Sequence, residues 1–155
     1  MPYNELFKAS VNKAMALCAR REYCISEVLA KLHSWGTDSD DNVRIIELLK
    51  KDNYINEERY ALGFVNDKFN YNKWGKLKIR AHLRAKDIPG DLIKQALDSI
   101  DNETYNKTLR DLLTAHRRSV KAKNQYELKA KLLRYGLSKG FESGLLYDLL
   151  NCIEP

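Results

Sequence analysis

Apolar residues recur along this chain every three or four positions, and no segment sustains the alternation of a half-buried strand. Three segments align with one another. Val28, Leu32, Trp35, Gly36 and Thr37 match Ile79, Leu83, Lys86, Asp87 and Ile88 at an offset of 51. The second set matches Leu132, Gly136, Lys139, Gly140 and Phe141 at an offset of 53. Each unit describes a short amphipathic helix, a glycine-type C-cap, and an apolar residue entering the next turn. A further helix follows each time, at Val43–Leu49, Leu92–Leu97 and Leu145–Leu150. Another precedes each one, around Val11–Arg20, Glu57–Phe69 and Tyr105–Arg117. The pattern predicts an all-α protein of nine helices, a tandem array of three three-helix repeats at residues 1–52, 53–102 and 103–155. Such an array is expected to be elongated and curved.

Local chemistry supports the parsing. Asn56 suits the N-cap of the helix from Glu57, whose two leading carboxylates favour the positive helix end. Ile55 is placed to staple onto Tyr60. Ala61, Phe64, Val65 and Lys68 follow helical spacing, with Lys68 running along the rim. Pro89 is expected to open the helix carrying Leu92, Ile93, Ala96 and Leu97.

Composition adds little to this fold but narrows the function. The chain has 155 residues, 44% of them hydrophobic, with only 7 Gly and 3 Pro, which excludes collagen-like and disordered classes. Its longest apolar run, Ala14–Ala19, is six residues, far short of a membrane span. Met1–Glu5 leads directly into charged sequence, so no secretory leader is expected and the cytoplasm is the expected location. Cys18, Cys24 and Cys152 fit no C-x-x-C spacing and read as small hydrophobes.

Charge is what redirects attention. The net is +6, but residues 68–86 carry seven Lys/Arg and no acid, and residues 107–139 carry ten against Asp111 and Glu127. These segments hold +15 together, leaving −9 for the rest, concentrated at 38–58 and 87–103. Such blocks point to a polyanion or an acidic protein surface as partner. Around Lys73-Trp74-Gly75-Lys76-Leu77-Lys78-Ile79-Arg80 cations interleave with an aromatic residue, an arrangement able to neutralise phosphates or to fit an acidic groove. Trp35 and Trp74 read as packing or hinge residues.

No catalytic constellation survives inspection, so no enzyme, metal or cofactor is expected. His33, His82 and His116 lie apart without a metal-ligand spacing, and neither a phosphate-cradling glycine motif nor a nucleophile elbow is present. Asp38, Asp40 and Asn42 mimic the start of a calcium loop, but Val43 and Leu49 occupy its glycine and glutamate positions. These acids suit a turn that caps the following helix.

The block Tyr54-Ile55-Asn56-Glu57-Glu58-Arg59-Tyr60-Ala61, then Phe64-Val65, Gly75, Ile79, Leu83, Lys86 and Ile88, resembles the central signature of the RecX family. Ala16–Arg21 with Glu27, Val28 and Leu32 resembles that family's N-terminal motif, and Lys131–Arg134 with Lys139-Gly140-Phe141 its third repeat. The resemblance implies a non-enzymatic regulator that binds the RecA–DNA filament and inhibits its ATPase, strand exchange and extension; with no sustained heptad pattern in the chain, a monomer is expected. DNA recombination, repair and the SOS response would follow from that control. A stand-alone DNA-binding protein without sequence specificity is the alternative. Under either reading the binding residues are Arg20, Arg21, Lys68, Arg80, Arg84, Lys86, Arg117, Arg118, Lys121, Lys131, Arg134 and Lys139. Asn56, Arg59, Tyr60, Ala61, Gly75, Ile79, Leu83, Ile88, Gly140 and Phe141 are motif residues read as structural.

Three positions depart from the family pattern. Cys24 stands where Ser or Thr caps a helix, at an expected cost of about 1 kcal/mol. Asp87 replaces a glycine. Gly136 replaces an apolar residue, with an expected penalty of about 1 kcal/mol relative to Ala inside a helix.

Overall fold

In the computed structural model, which describes residues 4–152, every regular element is helical. In chain order the helices are α1 (Glu5–Arg20), α2 (Ile25–Trp35), α3 (Ser39–Lys51), α4 (Glu57–Asn70), α5 (Lys76–Ala85), α6 (Gly90–Asp98), α7 (Asn102–Arg117), α8 (Gln125–Ser138) and α9 (Ser143–Asn151). The helices fall where the hydrophobic pattern placed them, several of them, such as α3 and α7, starting up to a turn before the first apolar position that marked them. α1 begins at Glu5 rather than near Val11, because Asn4 accepts a hydrogen bond from Phe7 N at 2.7 Å and so caps the earlier turn. α6 begins one residue after Pro89, whose carbonyl receives the Ile93 N–H.

The second helix of each set ends in the same turn. Gly36, Asp87 and Gly140 adopt φ of +89, +60 and +95°. The following N–H then reaches back to the carbonyl of Leu32, Leu83 or Gly136, while the left-handed residue's own N–H bonds that of His33, Arg84 or Leu137. This doubled closure satisfies carbonyls that a helix end leaves orphaned. It also drops Thr37, Ile88 and Phe141 into buried positions. Asp87 holds the turn without glycine, as a short polar side chain tolerates the left-handed region better than most.

Caps act as the sequence predicts. Asn56 accepts from Arg59 N at 3.0 Å, and Asp38 from Asp41 N at 2.8 Å, so the acids after Thr37 serve as a helix start. Cys24 and Glu27 form a capping box in which a thiol replaces the usual hydroxyl, with Glu27 accepting from Cys24 N at 3.1 Å. In α4 the buried stripe is Tyr60, Ala61, Val65 and Phe69, with Phe64 and Lys68 half-buried beside it.

By compactness the chain forms two units. Among the described residues, the first contains Asn4–Gly63 with Leu83–Ile93; the second contains Phe64–His82 and Lys94–Cys152. In the first, Phe7, Ala14, Cys18, Val28, Leu32, Ile45, Leu49 and Ile55 belong to one core, with Trp35 packed against it. There α2 is fastened by the Ser26 hydroxyl donating to Lys86 O (2.8 Å), Ile25 N donating to the Glu57 carboxylate (3.1 Å), and Lys86 Nζ bonding Glu27 (2.9 Å).

In the second unit, Tyr105, Leu109, Leu113, Leu132, Phe141, Leu146 and Leu150 are buried. The Tyr105 ring lies 5.7 Å from Phe69 and 5.1 Å from Phe141. Here the main chain makes the joint: Gly75 N donates to Lys139 O (2.7 Å) and Leu77 N to Gly140 O (3.0 Å). Lys76 N donates to the Tyr105 hydroxyl (2.9 Å), which in turn bonds Glu142. A Cβ on Gly75 would lie 2.4 Å from the Gly140 carbonyl, so only glycine permits this approach.

Gly136 corrects an expectation. Its helical position is not a passive weakness, because a Cβ there would fall 2.2 Å from Leu146 Cδ2, and Leu146 is fully buried. The small residue lets α9 close onto α8.

A candidate polyanion-binding face

The cations nominated from sequence divide into those consumed by the fold and those left with uncompensated charge. Lys86 is half-buried and paired with Glu27 at 2.9 Å. Burial raises the Glu27 carboxyl pKa, but Lys86, the Cys24 N–H and Arg21 together outweigh it and hold the group below its ordinary value of 4.5. Arg21 lies 3.6 Å from Glu27 and its guanidinium stacks 3.6 Å over the Tyr23 ring. Arg59 bonds Glu22 and donates to Asn53 O at 3.2 Å. Tyr60 is buried nearby, its hydroxyl pKa pushed up by burial and then by Glu27. This part of the first unit is an ion-pair network holding helices together; Arg20 and Arg84 stand exposed outside it.

In the second unit, Arg118 ends α7 and is exposed, as are Lys121 and Arg134, while Arg117 is half-buried. Lys131 pairs with Glu127 at 3.1 Å and donates to Lys121 O at 2.5 Å, which fixes the α7–α8 loop on α8. His116 stacks on Tyr135 with ring centroids 3.8 Å apart, a packing role for that histidine.

The densest uncompensated group surrounds the turn between α4 and α5. Lys68 Nζ lies 4.9 Å and Lys78 Nζ 4.6 Å from the Trp74 ring centroid. His82 approaches the same ring at 4.6 Å. Lys139 Nζ donates to Asn72 O at 2.8 Å. Burial and the Lys78 charge lower the Lys139 amine pKa below its ordinary value. Among the described residues no carboxylate stands within ion-pair distance of these three amines. Arg80, one turn on, is half-buried.

Lys68 and Lys139 were nominated from sequence; Lys78 and Trp74 were not counted among the binding residues. The signal was present in the first turn of α5, which has no acid and carries Lys76 and Lys78 at the positive helix end. The first turns of α1, α2, α3, α4, α6, α7 and α8 all contain acids. A cationic first turn opposes the helix dipole; Lys76 Nζ lies 4.9 Å from the Tyr105 ring, while Lys78 turns to Trp74.

Among the described residues no group of three or more His, Cys, Asp or Glu is gathered to hold a metal, and the three cysteines are free thiols. Burial raises the pKa values of Cys18 and Cys24. No described helix is long and apolar enough to cross a membrane.

Comparison with known proteins finds relatives of this chain. Residues 56–97 match the family model described as RecX, second three-helix domain. The chain is 32% identical over 144 residues to a regulatory protein RecX of Clostridium perfringens, covering 92% of this chain and 65% of that protein. It is 27% identical over 150 residues to the RecX of Clostridioides difficile, covering 96% and 69%. The chain therefore spans about two thirds of the length of these curated relatives. The crystal structure of RecX from Lactobacillus salivarius superposes with a TM-score of 0.84 at 23% identity, over 96% of this chain and 99% of that one.

Proposed function

The chain belongs to the RecX family, and from that premise we propose that it regulates the RecA recombinase by binding the RecA–DNA filament. Bound there, it inhibits ATP hydrolysis, strand exchange and filament extension, and so governs recombination, repair and the SOS response. Residues 1–52, 53–102 and 103–155 act as three successive contact modules of a cytoplasmic monomer that needs no cofactor. Weak contacts made by linked modules sum through effective concentration, so no single module has to bind tightly. The observation that carries the reading is the stretch of seven Lys/Arg without an acid at 68–86, which includes lysines left unpaired around Trp74.

The direct experiment is titration into a RecA reaction on single-stranded DNA at near-physiological salt, following ATP hydrolysis. Inhibition at protein well below the RecA concentration is expected. Inhibition only once the protein covers the DNA would transfer the function to a stand-alone DNA binder. That second reading is favoured by the exposed cations Arg118, Lys121 and Arg134, and it requires a log–log salt slope near about −5 for six duplex phosphates.

A further inference from the structure

We propose that Lys68, Lys78 and Lys139, gathered around Trp74, form a site for a phosphodiester of the DNA backbone. The inference rests on the polyanion-binding reading above and gives it a location and a ligand chemistry. Three elements converge there: the end of α4, the first turn of α5 and the turn after α8. Gly140 sits against Lys78, so closely that a Cβ on Gly140 would lie 2.3 Å from Lys78 Cβ. That backbone contact brings Lys139 to the α5 turn, where its amine is held on Asn72 O at 2.8 Å.

Trp74 fixes the other two amines. Cation–π attraction orients Lys68 and Lys78 over the indole without neutralising either charge. The segment between α4 and α5 is itself constrained, since Lys73 takes φ +57° with a long side chain where glycine or asparagine is usual. Lys78 thus stands against the dipole at the positive end of α5, while Lys68 and Lys139 suit the negative ends of α4 and α8 yet repel it and each other. The three chelating groups are all ammonium. Lysine is an established phosphate ligand, acting as a point charge, and amines interleaved with an aromatic ring are the arrangement that follows a single-stranded nucleic-acid backbone. The chemistry therefore favours a nucleic-acid phosphate over an acidic protein side chain.

The test uses the full chain carrying W35F, which leaves Trp74 as the sole tryptophan. Trp74 emission is followed during titration with a short oligothymidylate, with inorganic phosphate and with polyglutamate. The oligothymidylate is expected to change the emission saturably and more tightly than either other ligand. K78Q and K139Q should each lower its affinity about 5-fold at ~0.1 M salt and make the salt slope shallower by about 0.7, the loss of one single-strand phosphate. Equal binding of polyglutamate would assign the site to an acidic protein, and equal binding of free phosphate would remove the nucleic acid; either overturns the proposal. Unchanged affinity in both lysine variants, with R118Q weakened, would refute this site while leaving a basic face in place. If the parent chain neither bound DNA nor slowed RecA, the functional reading itself would fall.

Discussion

Replacing Gly75 by Ala tests whether the main-chain joint of the second unit governs its stability. The new methyl would lie 2.4 Å from Gly140 C and O and 2.5 Å from Phe141 N, where ordinary van der Waals contact begins at 3.4 Å. The obstructing atoms are backbone, so relief requires moving the whole turn by about 1 Å. That movement breaks Gly75 N to Lys139 O and Leu77 N to Gly140 O. Two such bonds contribute about 1 kcal/mol each, and the forced contact adds about 2 kcal/mol. The sum, about 4 kcal/mol, lowers the melting temperature by roughly 8–16 °C in a chain of this size. Gly63→Ala is the control, since Gly63 lies exposed within α4 with nothing within 4 Å of an added Cβ. It should gain about 1 kcal/mol from helix propensity. Urea and thermal unfolding followed by circular dichroism report both variants. A G75A protein within about 1 kcal/mol of the parent would refute the joint's role.

Other consequences are equally direct. Gly136→Ala, which propensity alone would make favourable, should instead cost about 1 kcal/mol in urea unfolding because Leu146 cannot move freely inside the core. The Ser10 hydroxyl is buried without a partner among the described residues, so Ser10→Ala should raise stability by about 1 kcal/mol; a loss would show that the hydroxyl is bonded. Because the folded Glu27 carboxyl titrates below its ordinary value of 4.5, its ion pair stabilises the protein above that pH and fades as pH falls through the folded value. The stability difference between the parent and K86M, measured by urea unfolding, should therefore shrink as pH drops below 4.5; a constant difference would remove the Lys86–Glu27 pair as its source.

The nine helices among the described residues were legible because their apolar spacing, caps and turn residues agree with one another. Asn56, Asp38 and the triplet Gly36, Asp87 and Gly140 each have a local cause that sequence carries in full. Gly136 was misjudged because propensity is local, whereas the need for a small residue there comes from Leu146, ten positions away on α9. The candidate face was harder to read for the same reason. Lys86 and Lys78 both sit in the acid-free stretch, and only tertiary structure gives Lys86 a carboxylate and Lys78 an indole. A charge count locates the basic stretch; which cations remain available depends on neighbours distant in sequence.

The two fastenings of the middle helices differ in what they ask of evolution. The joint at Gly75 and Gly140 is written in peptide groups, so side chains around it can change provided that both glycines persist. The joint at Ser26, Glu57 and Lys86 is written partly in side chains, and drift there needs compensating change at a partner. The first joint can therefore absorb drift in its side chains without loss, whereas the second holds only when its partners change together.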